Sequence, residues 1–246
     1  MVISLLKKIL PLALFGFAFL FPALGIIAWP HLQAETHAQR TENSASIRTR
    51  SDQAVRAKAT RAGVTPVTEV FIEMAAAVGQ GAPAKRLVGY KTATDPTSQP
   101  RYWAIVDFSQ RSTNKRLYVF DTQQKIVETY YVSHGRGSEG SVDDGMAEVF
   151  SNRDGSFSSS LGIYRALDEY TGQHGRSMRL AGVESTNSNA LSRAVVLHTA
   201  DYVSDAFIRQ TGRLGRSEGC FAVERAVGDR LIDQLKNSAY IIAWKG

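Results

Sequence analysis

Hydrophobic and polar positions along this chain change their period several times. Residues 9–29 run without a charge behind Lys7 and Lys8, which reads as an export signal at the start of the chain. The length suits a spanning helix of about 20 residues better than a cleaved signal core of about 7 to 15. Pro11, Pro22 and the small-x-small site Ala23-Leu24-Gly25 favour cleavage, so a retained anchor and a cleaved signal both stay open. The two lysines would hold the N-terminus inside and send the rest of the chain outward, an asymmetry that Arg40 and the basic residues after it weaken. Residues 33–64 are rich in Ala, Thr, Ser, Arg and Glu with almost no large apolar side chain, a composition that favours a polar, basic linker.

From residue 65 the period becomes helical. Thr65 can cap, Pro66 suits a first helical position, and Val67, Val70, Phe71, Met74 and Val78 recur at helical spacing until Gly79 and Gly81. That predicts one amphipathic helix, packed on the domain that follows, with residues 89–100 as a polar connection. Strand patterns then appear at 102–108, 116–121 and 126–132, the last two joined by a polar turn. A long loop, 133–160, is dense in Gly, Ser, Asp and Asn and is a candidate functional loop. Strands resume at 162–167, 178–183 and 192–198, short helices are expected at 202–208 and 229–235, and 240–244 closes the chain as a strand. The expected fold is mostly β with small helices, a sandwich or barrel. The domain plan is 1–32 signal or anchor, 33–64 linker, 65–100 helix and connection, and 101–246 the strand-rich main domain.

Composition changes this picture little. An apolar fraction of 43% with 21% charged residues is that of a globular protein able to bury a core. The formal charge of +6 implies attraction to anionic surroundings. Arg40, Arg48, Arg50, Arg56, Lys58 and Arg61 place much of it in the linker, and no nucleic-acid motif accompanies it, so a nucleic-acid partner is not expected.

The chemistry concentrates in G-R-L-G-R-S-E-G-C-F-A-V, residues 212–223, which contains the one cysteine of the chain. A thiol and an imidazole on separate segments suffice for covalent acyl transfer. Cys220 and His198 are that candidate pair, His198 standing at the end of an apolar run with its side chain expected to emerge there. Ser217 and Gly219 should shape a sharp turn whose N–H groups face an oxyanion, and Arg213 and Arg216 should favour the thiolate. An inert buried cysteine is the plain alternative. His134, His174 and His198 lack close metal-ligand spacing, and with no Cys-x-x-Cys a zinc site is not expected. No Ser-x-x-Lys box comes with its partner motifs, which sets that kind of serine nucleophile aside.

The order of His198, a helix, and Ser217-Glu218-Gly219-Cys220 resembles the L,D-transpeptidase catalytic domain. The wider family carries Ser/Thr-His-Gly-Cys, a hydrophobic residue and Asn; here Glu218 stands for the second His and Ala222 for the Asn. The chain is closer to a murein L,D-transpeptidase branch whose pattern includes H-G-x-G-S, F-S-N-x-x-G-S-x-x-S-S-L-G, H-G-x-S-x-R-L-x-G-x-E and G-R-S-x-G-C-x-A-V. These fall at 134–138, 150–162, 174–184 and 215–223, with Phe221 where Pro is common. The resemblance covers residues 102–244. It implies a β-rich catalytic domain, Cys220 as nucleophile and His198 as base and acid, with peptidoglycan stem peptides as substrate and no metal or organic cofactor. Arg216, Asn152, Ser160, His134 and Ser217 are the expected substrate contacts. A non-catalytic, membrane-anchored module that binds stem peptides is the competing reading.

Overall fold

The computed structural model describes residues 66–246, together with Ser46, Arg50 and Gln53. The apolar run 9–29, nearly all of the linker and the expected cap Thr65 lie outside the described residues. Among the described residues no helix is long and apolar enough to cross a membrane.

Two helices come first, α1 (Val67–Ala77) and α2 (Gly81–Thr94). The single helix and polar connection expected from the sequence are corrected here. Gly79 does end α1, but α2 starts two residues later and runs through the first half of the supposed connection. Pro83 is harmless in the first turn of α2, where its missing N–H has no partner to lose. Burial of Ala84, Leu87 and Lys91 against the sheet fixes a helix whose own residues, with three glycines or prolines, favour it little.

The strands are β1 (Tyr102–Asp107), β2 (Leu117–Asp121), β3 (Ile126–Tyr130), β4 (Gly162–Gly172), β5 (Gly175–Gly182), β6 (Val196–Thr199), β7 (Phe221–Val223) and β8 (Tyr240–Trp244). Helix α3 (Asp205–Thr211) lies between β6 and β7, and α4 (Arg225–Leu235) between β7 and β8. The strands form one eight-stranded sheet in the order β3-β2-β1-β8-β4-β5-β6-β7, with β1·β8 and β6·β7 parallel. Chain leaving β3 reaches the far edge, where the Ser133 N–H donates to Ala222 O at 2.9 Å and Gly135 bridges Ser217. The sheet therefore nearly closes on itself, and the mostly β expectation holds.

Several boundaries differ from expectation. Strand β6 begins at Val196, four residues late, because Arg193 N–H to Asn189 O and Ala194 N–H to Leu191 O coil the preceding segment into turns. Strands β4 and β5 form one long hairpin with Gln173 and His174 at its tip. Helix α3 starts at Asp205 because the Ser204 side chain caps it by accepting from the Phe207 N–H. Helix α4 starts four residues earlier than its apolar pattern indicates.

Side-chain alternation along β1 divides the core. Ala104 and Val106 join the larger cluster with Leu180, Leu197, Phe221 and Leu231, whereas Trp103 and Ile105 face the helix pair. Phe71 of α1 stacks on Trp103 with ring centroids 4.5 Å apart, and Trp103 stacks on Tyr240 of β8 at 5.4 Å. Gln80, between the helices, donates to Asp107 at 2.9 Å. The helices thus share a core with the sheet. Phe71→Ala should cost about 3 to 5 kcal/mol, the range for emptying a buried aromatic site, read as a lower midpoint in urea unfolding; an unchanged midpoint would mean that the helix pair packs without adding stability.

Candidate active site

Three backbone segments meet around residues 217–220. Gly135 lies so close to its neighbours that a Cβ there would stand 2.2 Å from Phe157 O and 2.8 Å from Gly219 N. Gly219 has φ +116, and a Cβ on it would meet Ser158 O at 2.8 Å, so a side chain is excluded on both steric and conformational grounds. The strap after β3 is tied to the turn by Ser217 N–H to His134 O at 3.0 Å and Arg136 N–H to Ser217 O at 2.7 Å. Within the turn, Ser217 Oγ donates to Cys220 O at 2.7 Å and accepts from the Gly219 N–H at 3.2 Å. Ser217 therefore shapes the turn, as its position implied. The Gly219 N–H, expected to face an oxyanion, is taken by that hydroxyl instead.

Beneath the strap lies a buried polar row. Arg116, fully buried, donates to Val132 O at 3.1 Å, to Gln110 O at 2.8 Å and to His134 Nδ1 at 2.8 Å. Because an arginine only donates, Nδ1 must accept, and the Nε2–H of His134 then donates to Glu139 Oε2 at 2.9 Å. Arg216 Nη1 reaches the same Glu139 oxygen at 3.3 Å and Asp143 at 3.4 Å. Burial, then the Arg116 charge, pushes the His134 pKa down to about 4, so the ring is neutral at pH 7.

Strands β6 and β7 bring the segments that carry the second imidazole and the thiol side by side. Their parallel register pairs Leu197 with Phe221 and His198 with Ala222, and residues two apart along a strand share a face. Cys220 immediately precedes Phe221, one residue outside β7, at the end of that strand beside the β6 segment that carries His198. The half-buried Cys220 Sγ lies 3.6 Å from Ala194 O. Burial raises the thiol pKa, opposed by the Val196 N–H and the Arg193 guanidinium, while Glu218 adds to the rise. His198 does not emerge at the strand end as expected: it is 2% exposed and stacked under His174, ring centroids 4.3 Å apart. Its Nδ1 lies 2.9 Å from Thr199 O, which requires the proton on Nδ1 and leaves Nε2 as the basic nitrogen. Burial lowers its pKa, and the His174 charge lowers it further.

The remaining expected contacts have partners inside the protein. His134 and Ser160 are buried, and Ser160 Oγ donates to Ser151 O at 2.8 Å while accepting from Arg193 at 2.7 Å. Asn152 pins its loop to residues 185–189 through Ser185 O, Ser188 Oγ and the Asn189 N–H. Arg213 pairs with Asp143, and Arg216 with Glu139 and Asp143, so neither is the cation beside the thiol. An extended 216–220 segment would have put Arg216 next to Glu218; the turn instead sends Glu218 outward to Arg136 at 3.4 Å. Sequence reasoning missed Arg193, which sits in a polar stretch with no motif around it. Among the described residues no group of three or more His, Cys, Asp or Glu side chains is placed to hold a metal ion.

Two titrations follow. Because the folded pKa of His134 is depressed from 6.5 to about 4, the unfolded chain binds the proton first, and stability should fall as pH drops through that window. His134→Gln should flatten the pH dependence of the urea midpoint there while lowering stability at pH 7; an unaltered slope would place the acid sensitivity on other groups. His174→Ala should raise the His198 pKa toward its ordinary value, since it uncovers the ring and removes a like charge. Proton NMR titration of the His198 ring reads this directly, and a fall would refute the covering role.

The sequence profile of the L,D-transpeptidase catalytic domain matches residues 75–244. No curated protein sequence matches the chain. Among solved structures the chain is similar to an L,D-transpeptidase from Mycobacterium smegmatis, at 12% identity and TM-score 0.36, covering 58% of this chain and 58% of that one. It is similar also to an L,D-transpeptidase from Stackebrandtia nassauensis, at 14% identity and TM-score 0.36 over 65% of this chain and 63% of that one. A third, from Mycobacterium tuberculosis, has 15% identity and TM-score 0.32 over 59% and 58% of the two chains. The chain thus spans less than two thirds of the length of each. With a profile match that covers well over half of its residues, the chain belongs to the L,D-transpeptidase catalytic domain family.

Proposed function

We propose that the protein is a cysteine-dependent acyl transferase of peptidoglycan stem peptides, with Cys220 as nucleophile and His198 as general base and acid. The observation that supports this reading is the β6·β7 register, in which Cys220 immediately precedes Phe221, the partner of Leu197, and the adjacent His198 holds its Nδ1 against Thr199 O. A thiol held mostly protonated by burial needs a base, and an imidazole whose pKa is lowered is neutral and able to accept. His198 Nε2 takes the Sγ proton as the thiolate adds to the carbonyl at the L centre of the stem diamino acid. The tetrahedral oxyanion faces the Cys220 N–H, since the Gly219 N–H is committed to Ser217. Collapse breaks the C–N bond, His198 protonates the departing D-alanine amine, and a thioester to Cys220 remains. An acceptor amine then gives a cross-link or exchanged residue, or water gives carboxypeptidase action; in either case His198 takes the incoming proton and the C–S bond breaks.

We further propose that the domain works outside the cytoplasm, in the periplasm or facing the cell wall. Residues 9–29 would direct export and either be cleaved or stay as a membrane anchor.

Cys220→Ser and His198→Ala should each abolish D-alanine release from muropeptides, measured by mass spectrometry, with melting curves intact. The double variant should be no worse than either single one, because base and nucleophile act as a unit. Turnover that survives Cys220→Ser would sink the enzyme reading; binding of stem peptides without turnover in the parent protein would favour the non-catalytic module.

A further inference from the structure

Arg193 lies in the coiled segment before β6, and four hydrogen bonds fix its guanidinium on the 151–160 loop. Nη1 donates to Ser151 O at 2.9 Å and Ser160 Oγ at 2.7 Å; Nη2 donates to Ser158 O at 2.7 Å and Ser156 Oγ at 3.3 Å. Nη2 also stands 3.2 Å from where a Cβ on Gly219 would be, against the turn that carries the thiol. The next residue, Ala194, adopts φ +53, a conformation that L side chains seldom take, and its carbonyl lies against Cys220 Sγ. One short segment thus places a cation, a carbonyl and the Val196 N–H around the sulfur.

We propose that Arg193 is the fixed cation of the nucleophile site, a positioning residue that favours the reactive thiolate of Cys220 by its charge while its donors hold the 151–160 loop against the turn. This rests on Cys220 being the nucleophile. Among the described residues the other arginines of the turn and strap have acidic partners: Arg136 with Glu218, Arg213 with Asp143, and Arg216 with Glu139. Among the described residues Arg193 bonds neutral hydroxyls and carbonyls, so no carboxylate cancels its charge, which opposes the rise that burial gives the thiol. The other titratable groups around the sulfur are Glu218, which disfavours the thiolate, Tyr164 and Tyr202, whose own ionisation the thiolate opposes, and His198 on the neighbouring strand. None of them supplies a permanent positive charge.

Because the chain has a single cysteine, the pH midpoint of alkylation in the full-length protein reports Cys220 alone. Arg193→Gln should raise that midpoint by roughly 0.5 to 2 pH units, the range that losing one unit charge several ångströms from a thiolate spans between water-like and protein-like dielectric. Ser156→Ala, which removes one tie and keeps the charge, should leave it in place. Arg193→Lys loses the fork that spans four acceptors yet keeps the charge, so its midpoint should stay within about 0.3 units of the parent's. An unmoved midpoint in Arg193→Gln overturns the proposal. So does an equal rise in Arg193→Lys, which would make the loop ties the whole effect. If Arg193→Gln does not fold, Arg193→Lys decides alone: a midpoint near the parent's sustains the proposal, and one raised by a unit overturns it. Turnover in Cys220→Ser would instead remove the reading beneath it.

Discussion

The active-site region depends on a close approach of backbones that only absent side chains permit. At Gly135 and Gly219 the strap after β3, the 157–159 segment and the nucleophile turn come within distances that any Cβ would violate. Backbone and hydroxyl groups then replace side-chain packing, and each buried donor has to find a partner. Ser159 shows how tightly this is done: its Oγ accepts from the Gly135 N–H at 3.0 Å, and its N–H donates to Ser138 Oγ at 2.9 Å. The serine-rich composition of the long loop serves this internal bonding. That also explains why residues expected to contact substrate, Asn152 and Ser160 among them, are committed to the protein itself.

Such a frame needs an anchor that does not slide, and the Arg116, His134 and Glu139 row supplies it. A buried charge is tolerated only when its donors are satisfied, and Arg116 meets that condition with carbonyls, a ring nitrogen and a nearby carboxylate. The neutral His134 fits because one ring nitrogen can accept while the other donates, a pairing that neither lysine nor an aliphatic residue can reproduce. Its backbone carbonyl holds the Ser217 N–H, so the row sets the height of the turn that presents Cys220. The histidine of the H-G-x-G-S motif is thus linked through Ser217 to the backbone carbonyl of Cys220.

Much of the fold was legible because strands of apolar and β-branched residues such as 102–107 and 240–244 announce themselves. Cys220 and His198 stand out as candidates by residue type and order alone. What was hidden had no local signal. Helix α2 carries two glycines and a proline, and its helicity comes from docking on Trp103, Ile105 and Tyr240. Strand β7 has three residues, too few for a period to show. Arg193 lies 27 positions before the thiol it faces, and only the coiling of 189–194 and the return of β7 beside β6 bring the two together. Charge placement was misread for the same reason: Arg213 and Arg216 are near Cys220 in sequence, and the turn directs them to Asp143 and Glu139.

The two departures from the wider family's motif are accounted for by where the turn points. Glu218 is the most exposed member of its segment, its side chain 69% accessible and paired with Arg136. Position 218 therefore projects away from the buried row, and a residue there is chosen by solvent and by the rim, free of the constraints that fix Ser217 and Gly219. Ala222 is the opposite case: it is fully buried, pairs with His198 in register, and packs with Ala200, Val203 and Leu214. A polar side chain at that position would have to find partners among those apolar groups, at the cost of a buried unsatisfied amide. With Ala222 in place, the His198 ring is oriented by its own neighbour's carbonyl, Thr199 O, and by the His174 ring above it. The His198 ring is thus held by a backbone carbonyl and a hairpin-tip histidine while a small apolar residue stands in register beside it, so Ala222 and the His174 stack belong to one arrangement.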